Sequence, residues 1–327
     1  MLSRVAESIY WMARYIERAE NIARYINVNL HLKLDMPLDL SDQWQALVRV
    51  TGDDEWFAER YGSPSEENVT RFLTFDGDYS SSIISCIKSA RENARSVREI
   101  ISSEMWEQIN TLFLYINEMA NNGGKLNSPH TFFDRVGTSS CLFFGLMDAT
   151  MSHDESWHFS RVGQMLERAD KTSRILDIKY FILLPSINDI GTPFDNILWS
   201  ALLHSASAFE MYRKRWRRID HKNVASFLIL SSDFPRAIFH CIMQADKSLH
   251  AISGSAEGTF VNAAEKTIGQ LNSNLAYTTI DDIINQGLHE YLDSIQTQLN
   301  VVGTNINDIY FVTNPGSQFQ TQTQTMY

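Results

Sequence analysis

The feature that most constrains this chain is a charged stretch that occurs twice. The first copy reads Ile-Glu-Arg-Ala-Glu over residues 16–20, and the second reads Leu-Glu-Arg-Ala-Asp over residues 166–170. An arginine follows each copy at the same distance, at Arg24 and Arg174, so the copies stand 150 residues apart throughout. A constant offset predicts that a helical unit has been duplicated about a pseudo-twofold axis. Each glutamate would then pair across that axis with an arginine of the other copy.

The first copy has the periodicity of a long helix from Ser3 to about Lys33. At about 100° per residue, the charged residues Arg14, Glu17, Arg18 and Arg24 fall on one face. The other face is apolar and carries Trp11, Tyr15, Ala19, Ile22, Ala23 and Ile26. Residues three and four apart on the charged face are spaced for mutual contact.

The second copy lies in a predicted helix from Glu155 to Leu184 that is apolar nearly all round. Its charged side also carries Trp157, Ile175, Ile178 and Ile182, a mixture that does not suit a face turned to water. Charges in such a helix must be paired, because an unpaired buried ion costs several kcal/mol. Two interpretations follow. The charges hold the two copies together, or some of them face a cleft and bind an anionic or peptidic ligand.

The whole chain has the pattern of a large all-α bundle. Of its 327 residues 44% are hydrophobic, and the 15 Gly and 7 Pro are sparse and cluster between runs of helical periodicity. We predict about 11 to 13 helices in a single domain over residues 1–313, followed by a polar, disordered tail over residues 314–327. Residues 193–216 and residues 280–306 each read as one helix. Ser41 is a predicted helix cap, Ser63-Pro64 a predicted helix start, and Thr279–Asp282 a predicted capping box.

The charge balance disfavours some partners. A net charge of −11 argues against nucleic acid and against an anionic membrane surface. The basic run over residues 213–218 is interpreted as a solvated helix end. Three widely spaced cysteines and an N-terminus without a signal pattern favour a reducing, cytoplasmic setting.

No metal, cofactor or catalytic motif emerges. Glu155 and His158 have the spacing used in di-iron bundles, but no second such pair is present. His240 and His250 lie ten residues apart, which does not form a ligand pair on a helix. No phosphate-binding glycine loop, zinc-protease motif or serine nucleophile motif occurs.

Two further motifs complete a resemblance to a known family. They are Ala-Arg-Glu-Asn-Ala-Arg over residues 90–95 and Asp-Phe-Pro-Arg over residues 233–236. Together with the two Glu-Arg stretches, they resemble the alpha-E family of all-helical bacterial proteins, named for its Glu-Arg motif. The resemblance implies a helical domain without an established activity. It also implies partnership with an ATP-grasp-type ligase and a transglutaminase-like peptidase, whose genes commonly adjoin those of the family.

These observations lead to one candidate cluster and two functional hypotheses. The cluster consists of Arg14, Glu17, Arg18, Glu20, Arg24, Arg91, Glu92, Arg95, Glu167, Arg168, Asp170, Arg174 and Arg236. The first hypothesis is a non-enzymatic scaffold or adaptor acting with the ligase and peptidase in peptide ligation or tagging. The second is a ligand-binding or catalytic protein whose cleft is lined by the Glu-Arg stripes.

Overall fold

The computed structural model describes residues 1–35, 41–182 and 193–312, and every regular element in these ranges is helical. The first seven helices are α1 (Ser3–Asp35), α2 (Ser41–Thr51), α3 (Asp54–Tyr61), α4 (Glu66–Phe75), α5 (Ile83–Ser96), α6 (Ser103–Asn121) and α7 (Pro129–Thr150). The next eight are α8 (Glu155–Ile182), α9 (Pro193–Ser205), α10 (Phe209–Arg215), α11 (His221–Leu230), α12 (Ile238–Ser253), α13 (Ala263–Tyr277), α14 (Ile280–Gln286) and α15 (Leu288–Ile306). A π-helical turn, Asn307–Phe311, follows α15. The all-α prediction is confirmed.

Two helices predicted as continuous are each divided in two. Residues 193–216 form α9 and α10, because the chain turns at Ser207, which has a positive φ of 49°. Residues 280–306 form α14 and α15, divided at Gly287 with a φ of 103°. Both breaks need a left-handed backbone, which glycine adopts freely and serine does not. The described part of the chain therefore holds fifteen helices rather than about eleven to thirteen.

Of the predicted helix starts, one is confirmed and one is wrong. Thr279 and Asp282 form the predicted capping box at the start of α14. The predicted helix start at Ser63-Pro64 is wrong: α4 begins at Glu66, and the Ser65 hydroxyl accepts a hydrogen bond from the backbone N–H of Asn68. The predicted tail over residues 314–327 and the side chains of Ser41, Ile178 and Ile182 lie outside what the structure describes.

The helices form two similar sets, α1–α7 and α8–α15. In the first set α5 packs on α1, α6 on α5 and α7 on α1; in the second α12 packs on α8, α13 on α12 and α15 on α8. One helix of each set also packs on the long helix of the other set: α2 packs on α8, and α9 packs on α1. This arrangement agrees with the predicted duplication. The offset between corresponding residues is 150 in the central helices α1 and α8 and grows to 155 in the helices that follow them. Nine of the 23 residues from Asn68 to Ala90 recur 155 positions later, at 223–245.

Matching contacts support the correspondence. The Arg60–Asp78 ion pair (3.0 Å) has a counterpart in Arg215–Asp233 (3.8 Å). The contact of the His130 ring with Asn27 (2.7 Å) between α7 and α1 likewise recurs as His289 with Asp177 (2.7 Å) between α15 and α8. Equivalent residues therefore make equivalent contacts in the two sets.

Helices α1 and α8 cross at the centre of the molecule. A Cβ added to Gly163 on α8 would lie 2.4 Å from the carbonyl oxygen of Tyr10 on α1, closer than real side chains approach. The two backbones meet there because a glycine faces a carbonyl. Apolar residues surround the crossing, including Ile9, Ile16, Val162 and Ala169, all less than 2% exposed. No described helix is both long enough and apolar enough to cross a bilayer.

Candidate functional site

The charged residues of α1 and α8 meet at the helix crossing and form one connected network. We call it the Glu–Arg lattice. Its members are Arg14, Glu17, Arg18, Glu20, Arg24, Glu167, Arg168, Asp170, Lys171, Arg174 and Arg236. All come from α1 or α8 except Arg236, which stands just before α12.

Two reciprocal bidentate pairs lie at the centre of the lattice. Arg168 donates from Nε and Nη2 to the two carboxylate oxygens of Glu17, both at 2.8 Å. Arg18 donates from Nε and Nη2 to the two oxygens of Glu167, at 2.6 and 3.0 Å. Each glutamate thus pairs with the arginine of the other copy, as the duplication predicts. Fork-to-fork pairs of this kind are among the strongest hydrogen-bonded contacts in proteins.

Each central glutamate has further donors. Glu17 accepts from Arg236 Nη1 (3.1 Å) and from the side-chain amide of Asn21 (3.1 Å). Glu167 accepts from Arg14 Nε (2.8 Å) and lies 3.5 Å from Lys171 Nζ. Both glutamates are 0% exposed. Their lone pairs are therefore filled by protein donors.

The surrounding cations keep both glutamates ionised. Burial alone would raise the pKa of Glu17, but Arg168 and Arg236 outweigh it and lower that pKa to about 2. In the same way, Arg18, Lys171 and Arg14 outweigh burial at Glu167 and hold its pKa well below the usual range. Burial opposes the charge of Arg168 as well, yet Glu17 raises its pKa above the ordinary value. Neither glutamate can exchange a proton near neutral pH.

The outer end of the lattice is less completely paired. Oε1 of Glu20 accepts from Arg236 Nη2 (2.5 Å) and from Arg24, whereas its Oε2 is buried without a partner in the described part of the chain. Nη1 of Arg24 is likewise buried and unpartnered within those residues. Burial, together with the neighbouring Arg236, lowers the pKa of Arg24. The exposed Cys141 thiol lies 3.6 Å from Glu20 Oε1.

The lattice has more positive than negative members. Seven cationic side chains share four carboxylates in its ion pairs. Asp170, for example, pairs with both Lys171 (2.9 Å) and Arg174 (3.0 Å). This excess is local, because the whole chain has a net charge of −11.

Three residues of the predicted cluster form a separate group. Arg91 donates to the side chain of Asn110 on α6 (2.8 Å) and lies over the Phe113 ring. Glu92 pairs with Arg95 (2.5 Å) and with Arg91 (3.2 Å) at the surface of α5. The family motif over residues 90–95 put them in the predicted cluster, but they contact one another and α6 instead.

Sequence reasoning missed some residues of the lattice. Lys171 was left out of the predicted cluster, although it directly follows the second motif. Asn21 and Cys141, which contact the lattice members Glu17 and Glu20, were left out as well. The repeat at an offset of 155 residues also identifies a counterpart of Arg236 in the first copy. It aligns Arg236 with Ser81, and Ser81 accepts a hydrogen bond from Arg18 (3.4 Å) where Arg236 binds Glu17. The central pairs of the two copies therefore have different neighbours, since Ser81 contacts the arginine of one pair and Arg236 contacts the glutamate of the other.

Metal binding finds no support in the described residues. Residues 1–35, 41–182 and 193–312 contain no group of three His, Cys, Asp or Glu side chains placed to hold an ion. Glu155, which was considered with His158 for a di-iron site, pairs with the N-terminal ammonium of Met1 (2.9 Å).

Comparisons with known proteins agree with the motif. The chain is 19% identical over 335 aligned positions to uncharacterized proteins of Mycobacterium bovis and Mycobacterium tuberculosis. The match covers 95% of this chain but 36% of each relative, so the chain spans about a third of their length. No solved structure matches the chain. The Alpha-E family model, described as a predicted alpha-helical domain with a conserved ER motif, matches residues 1–311. The chain therefore belongs to the Alpha-E family.

Proposed function

We propose that residues 1–313 form one domain that acts as a non-enzymatic scaffold or adaptor in the cytoplasm. In this proposal it works beside an ATP-grasp-type ligase and a transglutaminase-like peptidase in peptide ligation or tagging. The classes of partner come from the family resemblance. The scaffold role is supported chiefly by one observation, the burial and mutual saturation of the two reciprocal Glu–Arg pairs.

That observation separates a structural role from a catalytic one. A general acid or base needs a pKa near the working pH and a path to its substrate. Glu17 and Glu167 have neither, since both are fully buried and both have lowered pKa values. A buried network that joins two halves of a molecule suits a rigid platform.

The relatives add a second support. In the mycobacterial proteins the matching segment makes up 36% of a longer chain. A helical unit that occurs inside a longer polypeptide works next to whatever the remainder forms. An adaptor that works beside a ligase and a peptidase would be in the same position.

The direct test is co-purification. We would co-express the tagged chain with an ATP-grasp-type ligase and a transglutaminase-like protein from its source genome, then run size-exclusion chromatography. We expect the chain to elute with at least one of them as a stable complex. We also expect the isolated chain to leave ATP unconsumed while its presence changes the ligase's rate. Separate elution of all three proteins would contradict the adaptor role.

A second candidate function is ligand binding at the outer end of the lattice. The excess of cations, the unpartnered Nη1 of Arg24 and the unpartnered Oε2 of Glu20 favour it. Both atoms are buried, so a ligand would have to displace the side chains at this end of the lattice to reach them. A small molecule with a carboxylate or phosphate group for Arg24 and an N–H group for Glu20 would then match both atoms. An acylated amino acid has both groups, whereas inorganic phosphate matches only the arginine.

The exposed Cys141 provides a readout for this candidate. Cys86 and Cys241 are buried, so alkylation by an uncharged reagent reports Cys141. We would measure its rate with increasing inorganic phosphate or an N-acetylated amino acid, in the parent and in Arg24→Met. Protection in the parent that is absent in Arg24→Met supports ligand binding. Equal rates throughout would exclude it for these probes.

A further inference from the structure

A second feature of the molecule is a basic, partly apolar pocket beside α10. It is a cavity of about 360 Å³ lined by Met211, Lys214, Arg215, Phe227, Asp233, Phe234 and Pro235. We call this the α10 pocket. It adjoins the Glu–Arg lattice at Pro235, whose carbonyl oxygen lies 3.5 Å from Arg168 Nη1, and it belongs to the second copy of the duplicated unit.

The floor of the pocket is apolar. Phe227 and Phe234 stack with their ring centroids 4.6 Å apart, and both rings are largely buried. Met211 reaches the surface beside them and is 43% exposed. An exposed methionine next to aromatic rings offers an adaptable contact for an apolar side chain.

One wall of the pocket is basic, because Lys214 and Arg215 are in its lining and belong to the basic run over residues 213–218. Arg213, Lys214, Arg215, Arg217 and Arg218 are all exposed. Arg215 lies 3.8 Å from Asp233, and among the described residues the other four have no ion-pair partner. Arg213 and Arg215 lie over the rings of Phe209 and Trp216. Ring contacts hold these two guanidinium groups in place, and the unpaired Lys214 in the lining is available to an acidic partner.

The first copy serves as an internal control, because α3 occupies the equivalent place. Phe57 of α3 is buried as Tyr212 of α10 is, and Arg60 pairs with Asp78 as Arg215 pairs with Asp233. However, α3 has Ala58 and Glu59 where α10 has Arg213 and Lys214. The packing role is thus met without those two cations, so the fold does not require them in α10.

From this contrast we infer that the α10 pocket docks an acidic peptide segment of a partner protein, with one apolar side chain inserted onto Phe227 and Phe234. The inference rests on the proposed adaptor function and gives it a docking surface. A cavity of about 360 Å³ is at the small end of binding pockets, the size of a side-chain subsite. The stacked rings of Phe227 and Phe234 favour a peptide over nucleic acid, because a peptide supplies an apolar side chain beside its acidic ones and a sugar-phosphate backbone does not.

The test uses a defined probe and the full chain. The probe is a peptide that carries fluorescein on its N-terminal amine, fluorescein-Asp-Glu-Leu-Trp-Glu-Asp-amide, and its binding is followed by fluorescence anisotropy at low salt. Three comparison ligands are the same peptide with alanine for leucine and tryptophan, an oligo-thymidine strand, and phosphatidylglycerol vesicles. We expect the acidic apolar peptide to bind best, its alanine form to bind more weakly, and affinity to fall with added salt.

The decisive variant gives α10 the residues of its counterpart. Arg213→Ala with Lys214→Glu installs the residues that α3 already has, so the fold is expected to persist with unchanged circular dichroism and melting temperature. We expect about a tenfold or greater loss of peptide affinity. Arg4→Ala with Lys247→Glu makes the same total charge change at exposed positions outside the pocket, and we expect it to lose less than about twofold.

The outcomes are separable from those of the adaptor test. Equal peptide affinity in the parent and the α10 variant, or tighter binding of the oligonucleotide or the vesicles, would overturn the inference. Because the probe peptide is added alone, this result does not depend on whether the ligase and peptidase co-elute. Conversely, an α10 variant that loses the peptide while the parent forms no complex would reject those partners and keep the docking surface.

Discussion

At the residue scale, Glu17 shows most clearly what the lattice does. Its buried carboxylate accepts hydrogen bonds from Arg168, Arg236 and Asn21, one partner on each of three different segments. Such a charge stabilises the fold only while its partners remain, since an uncompensated buried ion is costly. The contribution of the lattice to the stability of the fold is therefore measured by removing one of its members.

Arg168→Met is expected to destabilise the protein strongly. Among the described residues it leaves Glu17 with Arg236 as its sole cationic contact, and the loss expected on breaking a buried pair is about 3–5 kcal/mol. Urea or guanidinium midpoints of parent and variant measure it. A loss below about 0.5 kcal/mol would contradict the structural role and resemble a surface substitution.

Double variants identify the partner. Adding Glu17→Gln to Arg168→Met removes the stranded charge, so we expect part of the loss to be recovered. Adding Glu167→Gln instead is expected to worsen it, because Glu167 keeps Arg14 and Arg18 as partners and its loss breaks a second pair. Recovery by Glu167→Gln and not by Glu17→Gln would show that the pairing is misassigned.

The lowered pKa values predict a loss of stability in acid. A carboxyl whose pKa is lower in the folded state adds stability above its unfolded pKa, and that stability is lost as the pH falls through the folded value. For Glu17 the window runs from about pH 4.5 down to about pH 2. We expect denaturant midpoints to be steady near neutrality and to fall below about pH 4.5. Glu17→Gln should be less stable at neutral pH but less sensitive to acid, and an unchanged acid slope would count against this account.

Much of the lattice could be predicted from the sequence. Helical spacing placed Arg14, Glu17 and Arg18 on one face, and the offset of 150 implied cross-pairing. The sharing of Glu20 between Arg24 and Arg236 could not be predicted, because it depends on how the segment before α12 approaches α1. Arg91, Glu92 and Arg95 were wrongly expected in the same cluster as the Glu-Arg stretches. Their motif lies on α5, and a family motif by itself does not place its helix at the crossing of α1 and α8.

At the element scale, the close crossing of α1 and α8 depends on Gly163. Gly163→Ala would put a methyl group 2.4 Å from the Tyr10 carbonyl oxygen and force the helices apart. We expect a loss of about 1–3 kcal/mol, as for other overpacked cores, measured by thermal or chemical unfolding.

A glycine in an open part of a helix provides the control. A Cβ at Gly137 of α7 would have nothing within 4 Å, so Gly137→Ala should be neutral or stabilise by up to about 1 kcal/mol through helix propensity. Equal effects of the two substitutions would show that Gly163 acts through propensity alone and not through the crossing.

Helix ends were the least predictable elements. The Thr279–Asp282 capping box was readable because both of its polar side chains stand at fixed spacing. The break at Ser207 was not, because serine is an uncommon residue at positive φ and no proline or glycine marks the site. Gly287 did carry such a signal, which the strong apolar periodicity on both sides obscured.

At the scale of the whole molecule, the duplication boundary lies between α7 and α8 and not at the glycine-rich stretch over residues 121–124. Cutting the chain at residues 152–153 would separate every Glu17 partner outside α1 from Glu17. We expect residues 1–152 and 153–327 to be insoluble or molten when expressed singly. Co-expression should recover a one-to-one complex, detected by affinity capture of one tagged half.

The intact chain and a co-expressed pair with Arg168→Met in the second half are the controls for the split. The intact chain gives the reference circular dichroism spectrum. The pair with Arg168→Met should yield less complex if the lattice joins the halves. Two halves that are soluble and unfold cooperatively on their own would contradict the single-domain proposal.

The reciprocal pairs also set the order of events during synthesis. Glu17 waits for Arg168, 151 residues later, and for Arg236, 219 residues later. At about 5–20 residues per second, a ribosome needs roughly 8–30 s to deliver the first of these. Until then the glutamate and arginines of α1 remain hydrated on a nascent chain whose apolar face is already exposed. Long-range contacts of this kind slow folding, so the first half of this protein is the part that depends most on protection by chaperones.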